Sequence, residues 1–220
     1  MEKYISVFLF TGFLEAGKTE LIIKNFDAPI LSGPERKLLL TCERGTTTYP
    51  ADLLAAKNIV SLPLEKKSEI EKTNLEKITD MYDPEYIIIE YNGVWPVNGL
   101  VKNKPDNWKI IQSVLVADAG MFLMYNKSYH GLVADKLVLC HMVIFNRYEN
   151  KADVHELHSI VRQVNRSAEI CYVADSGMVY SDDIEDPLPF DLDAPIVEIG
   201  DDDYAEWYRD MGEEMKKYDP

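Results

Sequence analysis

Gly12 and Gly17 frame a short segment, Gly-Phe-Leu-Glu-Ala-Gly, that runs directly into Lys18 and Thr19. The pattern is G-x-x-x-x-G-K-[ST], and each residue type in it has a chemical reason. A loop that wraps a chain of phosphates must turn its N–H groups inward. Glycine permits the backbone conformations and the close approach this requires. A lysine at 18 sets an ammonium between the β- and γ-phosphates, and a threonine at 19 offers a hydroxyl to Mg²⁺. A helix starting here would aim its positive end at the same anion. The expected phosphate ligands are therefore Gly12, Ala16, Gly17, Lys18 and Thr19. Glu15 and Glu20, acidic members of the same segment, are also candidate nucleotide-binding residues, Glu15 being compatible with a polyanion if its side chain faces solvent.

Such a loop needs a carboxylate near the metal and a backbone group that senses the terminal phosphate. The stretch "YIIIEYNG" offers both: Glu90 at the end of an apolar run, and Gly93 three residues later. Glu90 is expected to hold Mg²⁺ through water or to orient the attacking water. A second acid, Glu43, ends the run "KLLLTCE". Cys42 beside it is a candidate soft ligand for a transition metal, although a lone cysteine at a strand end is more often a small buried hydrophobe. In "VIFNRYEN", Asn146 is a candidate to read a purine edge, Arg147 to stack on the base, and Glu149 to accept from guanine N1 and N2. Asp118, ending "SVLVAD", is expected to shape the sheet edge or the rim of the nucleotide site. His155 and His158 share a helical face but lack a third ligand, so they read as surface residues.

These groups have to be delivered by a scaffold. Apolar, β-branched and aromatic runs predict strands over 4–11, 37–43, 58–64, 86–91, 110–119, 141–147 and 168–173. Helices are expected over 19–26, 66–82, near 120–138 and over 151–164. In the second of these, Ile70, Asn74 or Leu75, Ile78 and Met81 recur at helical spacing. Strands alternating with helices predict βαβ units, and the near-continuous apolar strands predict a parallel sheet covered on both faces. All the candidate groups then fall at carboxyl ends of strands, where ligands collect in open α/β sheets.

Composition bounds the rest. The chain has 220 residues, 46% of them hydrophobic, which suits one α/β domain with an appendage. Its formal charge is −15, and residues 181–220 hold most of it: fifteen Asp/Glu against three Lys/Arg. This argues against nucleic acid and anionic membrane as partners. No apolar run reaches the roughly 18–20 residues that span a bilayer, and the N-terminus lacks the features of a secretory signal. Three dispersed cysteines fit a reducing compartment, so a cytoplasmic location is expected. The domain is expected over 1–180. Residues 181–220 read as an acidic, proline-containing linker and a short helix with a stripe of Tyr204, Trp207, Tyr208 and Met211.

Taken in order, "FLFTGFLEAGKT", "CERG", "YIIIEYNGVWP" and "VIFNRYE" resemble the motifs of the CobW/HypB/UreG family of P-loop GTPases, and are nearest to its CobW-like branch. The resemblance covers about residues 4–175. It implies a P-loop NTPase fold, a three-layer α/β/α arrangement with a mainly parallel sheet. It also implies a metal-dependent GTPase that acts as a metallochaperone or cofactor-insertion factor, often as a dimer, on a metalloprotein client. On that basis Gly12, Gly17, Lys18 and Thr19 hold phosphate and Mg²⁺, Lys18 and Glu90 are catalytic, and Glu43 serves the metal with Glu90. Gly93 is the switch glycine and Asn146 binds the base. The implied cofactors are Mg²⁺, GTP as substrate, and Zn²⁺ or another transition metal. The chain departs from the branch in lacking its Cys-x-Cys-Cys motif, and in carrying Asn-Arg-Tyr-Glu where the family has Asn-Lys-x-Asp. A nucleotide-binding regulatory module with little hydrolysis is the alternative reading. A small-molecule kinase ranks last, because no arginine cluster supplies a lid.

Overall fold

A computed structural model describes residues 4–148, 153–174 and, as backbone, 177–181. Apart from the backbone of Ser181, the expected linker and helix of 181–220 lie outside the described residues, as does Glu149.

The chain runs β1 (Ile5–Thr11), α1 (Lys18–Lys24), β2 (Lys37–Thr41), α2 (Ala51–Ala56), β3 (Ile59–Pro63), α3 (Lys72–Tyr82), β4 (Tyr86–Glu90), α4 (Val97–Asn103), β5 (Trp108–Asp118), α5 (Phe122–Ser128), α6 (His130–Val138), β6 (Met142–Asn146), α7 (Val154–Val164), β7 (Glu169–Ala174) and β8 (Gly177–Ser181). The strands form one sheet in the order β3-β2-β4-β1-β5-β6-β7-β8. Every pairing is parallel except β7 with β8.

β1 is buried at every position, and its side chains divide between two faces. Val7 and Leu9 join Leu38, Leu40, Ile87 and Ile89 beneath α3 and α4, while Phe8 and Phe10 join Leu39 and Ile88 beneath Ile22 of α1. Farther along the sheet, Val143 and Phe145 pack with Val133 and Leu137 of α6 and Leu157 and Val161 of α7. The result is the three-layer α/β/α arrangement of P-loop NTPases. A sheet apolar on both faces is stable only when both are covered.

The register sets the site. Glu90 pairs with Phe10 on one side and Thr41 on the other, so β1, β2 and β4 end at one level. Asp118 pairs with Asn146, aligning the ends of β5 and β6.

Several elements depart from expectation for identifiable reasons. The helix expected over 66–82 is broken at Glu71, whose extended backbone (φ −69°, ψ 141°) separates a 3₁₀ turn from α3. Ile70 before the break and Leu75 and Ile78 after it are buried, but the buried face of α3 continues through Thr79 and Tyr82, which leaves Met81 75% exposed. The helical stretch near 120–138 is divided at Tyr129. α2 contains no buried residue and thus no apolar stripe to read. α4 carries Gly99 in its interior, a residue that disfavours helix. β8, which the strand pattern did not anticipate, adds an antiparallel edge after β7.

Asn165, just after α7, ties this end of the sheet together. Its amide donates to the carbonyls of Leu137 and Cys140 at 2.8 and 2.7 Å, and its oxygen accepts from the backbone of Ser167 and Ala168. It is 7% exposed. Asn165→Ala leaves several buried groups without partners and is expected to lower the unfolding free energy by about 1–3 kcal/mol. Urea titration checks this, and an unchanged midpoint contradicts it.

Candidate functional site

The loop after β1 folds as its glycines require. Gly12 has φ 138°, and Gly17, the residue preceding α1, has φ 97°. Gly17 is constrained twice, because a Cβ there would also lie 2.3 Å from Nδ2 of Asn146. Asn146 reaches across this gap and donates to the carbonyl of Ala16 at 3.2 Å. Glu15, a non-glycine with φ 62°, sits in the left-handed region, a conformation that costs about 1–2 kcal/mol. Its side chain is exposed, as the sequence requires, and its carbonyl accepts from Arg147 Nη1 at 2.7 Å. The amides of Lys18, Thr19 and Glu20 open α1 with no carbonyl four residues earlier in the helix to bond them.

Lys18 is almost fully buried, 3% exposed. Its ammonium donates to the carbonyls of Gly12 at 2.7 Å and Phe13 at 3.0 Å, and pairs with Glu43 Oε1. Glu43 Oε2 in turn accepts from the backbone N–H of Gly93 at 3.1 Å. Gly93 lies directly on the loop, where a Cβ would come within 2.6 Å of the Gly12 carbonyl oxygen. Beside this chain of contacts runs a second one. Thr19 Oγ1 donates to Glu90 Oε1 at 2.6 Å, and the Tyr49 hydroxyl donates to Glu90 Oε2 at 2.6 Å. Burial, and then the Glu90 carboxylate, push the Tyr49 phenol far above its ordinary range, so it remains a donor.

These groups open onto a cleft of about 290 Å³ lined by Lys18, Thr19, Glu43, Thr47, Glu90 and Arg147, among others. Four acids, Glu15, Glu20, Glu43 and Glu90, face it against Lys18 and Arg147. Such a cleft takes a polyphosphate best when a cation accompanies it. The donors available, a hydroxyl and carboxylates, are all oxygen, which fits a hard ion such as Mg²⁺.

The structure brings Gly12, Ala16, Gly17, Lys18, Thr19, Glu43, Glu90 and Gly93 together. Glu20 is exposed at the rim, within 3.5 Å of the Thr47 hydroxyl. Two expectations, for Cys42 and Asn146, are altered. Cys42 does not face the cleft: it is 1% exposed in the core cluster beneath α3, where burial and the nearby Glu43 and Glu90 raise its thiol well above the ordinary range. A thiol held protonated is a poor metal ligand. Among the described residues no group of three or more His, Cys, Asp and Glu side chains is arranged to hold a metal ion. Asn146 does not present a free amide to a base: it donates to Ala16, and its oxygen accepts from Arg147 N at 3.0 Å. Arg147, with φ 54°, directs Nη1 to Glu15 O and, at 3.1 Å, to Asp118. His155 is exposed on α7.

Sequence reasoning missed Tyr49 and the buried Asp135–Lys136 segment of α6. Asp135 accepts from the backbone N–H of Val97 at 2.8 Å, and Lys136 donates to the Trp95 carbonyl at 3.3 Å and lies 5.9 Å from the centre of the Phe13 ring. α6 therefore touches both the loop and the segment that follows Gly93. The only hint in the sequence is a pair of charges inside an otherwise apolar helix.

A family model described as CobW/HypB/UreG, nucleotide-binding domain, matches residues 6–172. Among solved structures, the Zn(II)-bound YjiA GTPase from E. coli is similar with a TM-score of 0.60 and 16% identity, covering 88% of this chain and 63% of its own. The chain thus spans about 63% of the length of that relative. HypB from Helicobacter pylori in complex with nickel is similar over 99% of this chain and 89% of its own, with a TM-score of 0.53 and 13% identity. The hydrogenase maturation factor HypB from Archaeoglobus fulgidus covers 78% of this chain and 82% of its own, with a TM-score of 0.51 and 12% identity. At these identities the structural likeness concerns the fold. No curated protein sequence matches the chain.

Lys136 gives the region a measurable signature. Burial holds its ammonium down to about 8 from an ordinary 10.5; Asp135 opposes this, and Lys18 adds to it. The unfolded chain binds that proton more tightly, so unfolding takes up a proton between these two values and stability rises with pH across the window. The stability difference of wild type minus Lys136→Met is expected to grow from about pH 8 to about pH 10.5. Paired urea titrations giving a flat difference would contradict it.

Proposed function

The chain belongs to the CobW/HypB/UreG family of nucleotide-binding domains, and from that premise we propose that it binds GTP with Mg²⁺ and hydrolyses it slowly, as a timer for metal handling or metallocofactor insertion into a client protein. The observation that carries the reading is the double link between loop and sheet: Lys18 to Glu43, and Thr19 to Glu90. These two loop residues are the ones whose chemistry suits β/γ-phosphate and metal. Each is met by a carboxylate from the carboxyl end of a neighbouring strand.

In this reading the backbone amides that open α1 receive the phosphates, and Lys18 exchanges its carboxylate partner for phosphate oxygen. Thr19 and Glu90 hold Mg²⁺, with Glu43 close by; when bound, the ion neutralises charge on the β- and γ-phosphate oxygens. Catalysis rests on positioning and charge neutralisation by Lys18. Gly93 and Glu43 meet on the loop, so the segments that carry them are the natural sensors of the terminal phosphate. The metal role draws on YjiA and HypB, which were solved with Zn(II) and with nickel. A homodimer and a cytoplasmic location belong to the same proposal. Among the described residues no helix is long and apolar enough to cross a membrane.

One observation favours the alternative, a regulatory module with little hydrolysis. Both Glu90 oxygens already accept short hydrogen bonds, which suits a metal-side role better than activation of water. Phosphate release separates the readings. Release with GTP that is Mg²⁺-dependent and above the protein-free rate supports the GTPase. Release at the protein-free rate alongside GTP binding supports the module.

Lys18→Ala is expected to abolish tight triphosphate binding in calorimetric titration with GTP and Mg²⁺. Affinity within a few-fold of wild type would refute the phosphate role of the loop.

A further inference from the structure

We propose that Tyr49 is a positioning residue of the metal–nucleotide site: its hydroxyl fixes the Glu90 carboxylate so that Glu90 serves Thr19 and the bound cation. The inference rests on the nucleotide-binding reading above.

Tyr49 lies in the loop between β2 and α2, immediately before Pro50, the residue that leads into α2. Its ring stacks on Phe26, with centroids 6.1 Å apart and planes 29° apart, and Phe26 is 1% exposed at the foot of α1. A loop residue is thus anchored in the core, and its hydroxyl emerges beside β4. There it meets a carboxylate that is itself only 4% exposed. An ionised carboxylate at such depth needs donors. The Tyr49 hydroxyl reaches Oε2 and the Thr19 hydroxyl reaches Oε1, both at 2.6 Å. The last torsion of a glutamate is otherwise broad, and bonds on both oxygens hold its plane.

The consequence falls on Thr19. Its single proton is committed to Glu90, which leaves the oxygen lone pairs for an incoming cation. If Tyr49 lets go, the carboxylate can turn, the Thr19 proton loses its fixed acceptor, and the cation site loses its alignment. Removing an outer partner of a metal ligand typically lowers metal affinity 10–100-fold. The same hydroxyl also joins the 42–49 loop to β4, so a movement of that loop reaches the metal ligand directly.

The test uses the full chain, GDP as nucleotide and Mg²⁺ as the titrated ion, so that no hydrolysis is required. Tyr49→Phe keeps the ring on Phe26 and removes only the hydroxyl. It is expected to bind GDP in EDTA as wild type does, while the Mg²⁺ concentration that half-saturates the tightening of GDP binding rises roughly 10-fold. Glu90→Gln is expected to raise the same concentration, and the double variant to be no worse than Glu90→Gln alone, because Tyr49 acts through Glu90. An unchanged Mg²⁺ dependence in Tyr49→Phe overturns the assignment, as does an additive double variant. Wild-type protein that binds no GDP with or without Mg²⁺ overturns the nucleotide reading itself, and the Tyr49 assignment with it.

Discussion

The site depends on a constraint of burial. Lys18 and Glu90 are charged groups with almost no exposed surface, and charge so placed must be paired or hydrogen-bonded. The fold meets this by ending β2 and β4 at the level of the phosphate loop, so that Glu43 faces the Lys18 ammonium and Glu90 faces the Thr19 hydroxyl. Each carboxylate then carries a second bond outward, Glu43 to the backbone of Gly93 and Glu90 to Tyr49. The loop after β1, the loop after β2 and the segment after β4 are held by one short set of contacts.

The opposite flank of the loop is braced by different chemistry. Asn146 and Arg147, from the end of β6, bind the carbonyls of Ala16 and Glu15. Glu15 and Arg147 both have positive φ, and strain of this kind persists only where surrounding bonds over-determine it. A contact of this kind suits an amide and a guanidinium, which are donors long enough to cross from one strand end to the next turn. It also explains why Asn146 and Gly17 belong together: any side chain at 17 would occupy the space the Asn146 amide uses.

Much of this was legible in the sequence because it follows local rules. The glycine spacing dictates a turn, and apolar runs dictate strands. The acids that end those strands then fall at the sheet's carboxyl edge. What could not be read was set by tertiary contact. Nothing in "TTTYP" shows that Tyr49 will stack on Phe26 and reach Glu90, since the two residues are brought together only when β2 pairs with β4. Cys42 sits next to Glu43 in sequence, yet just past β2 it continues the alternation of Leu38 and Leu40 into the core, while Glu43, in the bend that follows, lines the cleft. Met81 shares an unbroken helix with Leu75 and Ile78, but the buried face follows Thr79 and Tyr82 and leaves Met81 outside, a choice set by the sheet beneath.

The acidity of the cleft bears on how such a site discriminates among ligands. A binding surface built only to capture polyphosphate would gather lysine and arginine, whereas here acids outnumber bases around the loop. A bare triphosphate entering this field is opposed by Glu43 and Glu90, and the same triphosphate accompanied by a divalent cation is not. In the proposed reading the carboxylates would favour the metal-bound form of the ligand, adding specificity at the expense of raw affinity. The same reading would have Lys18 leave Glu43 for phosphate. That exchange frees Glu43, which is bonded to Gly93. In that reading the terminal phosphate would displace one carboxylate and so change a contact at the segment leading to α4, where Asp135 and Lys136 of α6 are already engaged.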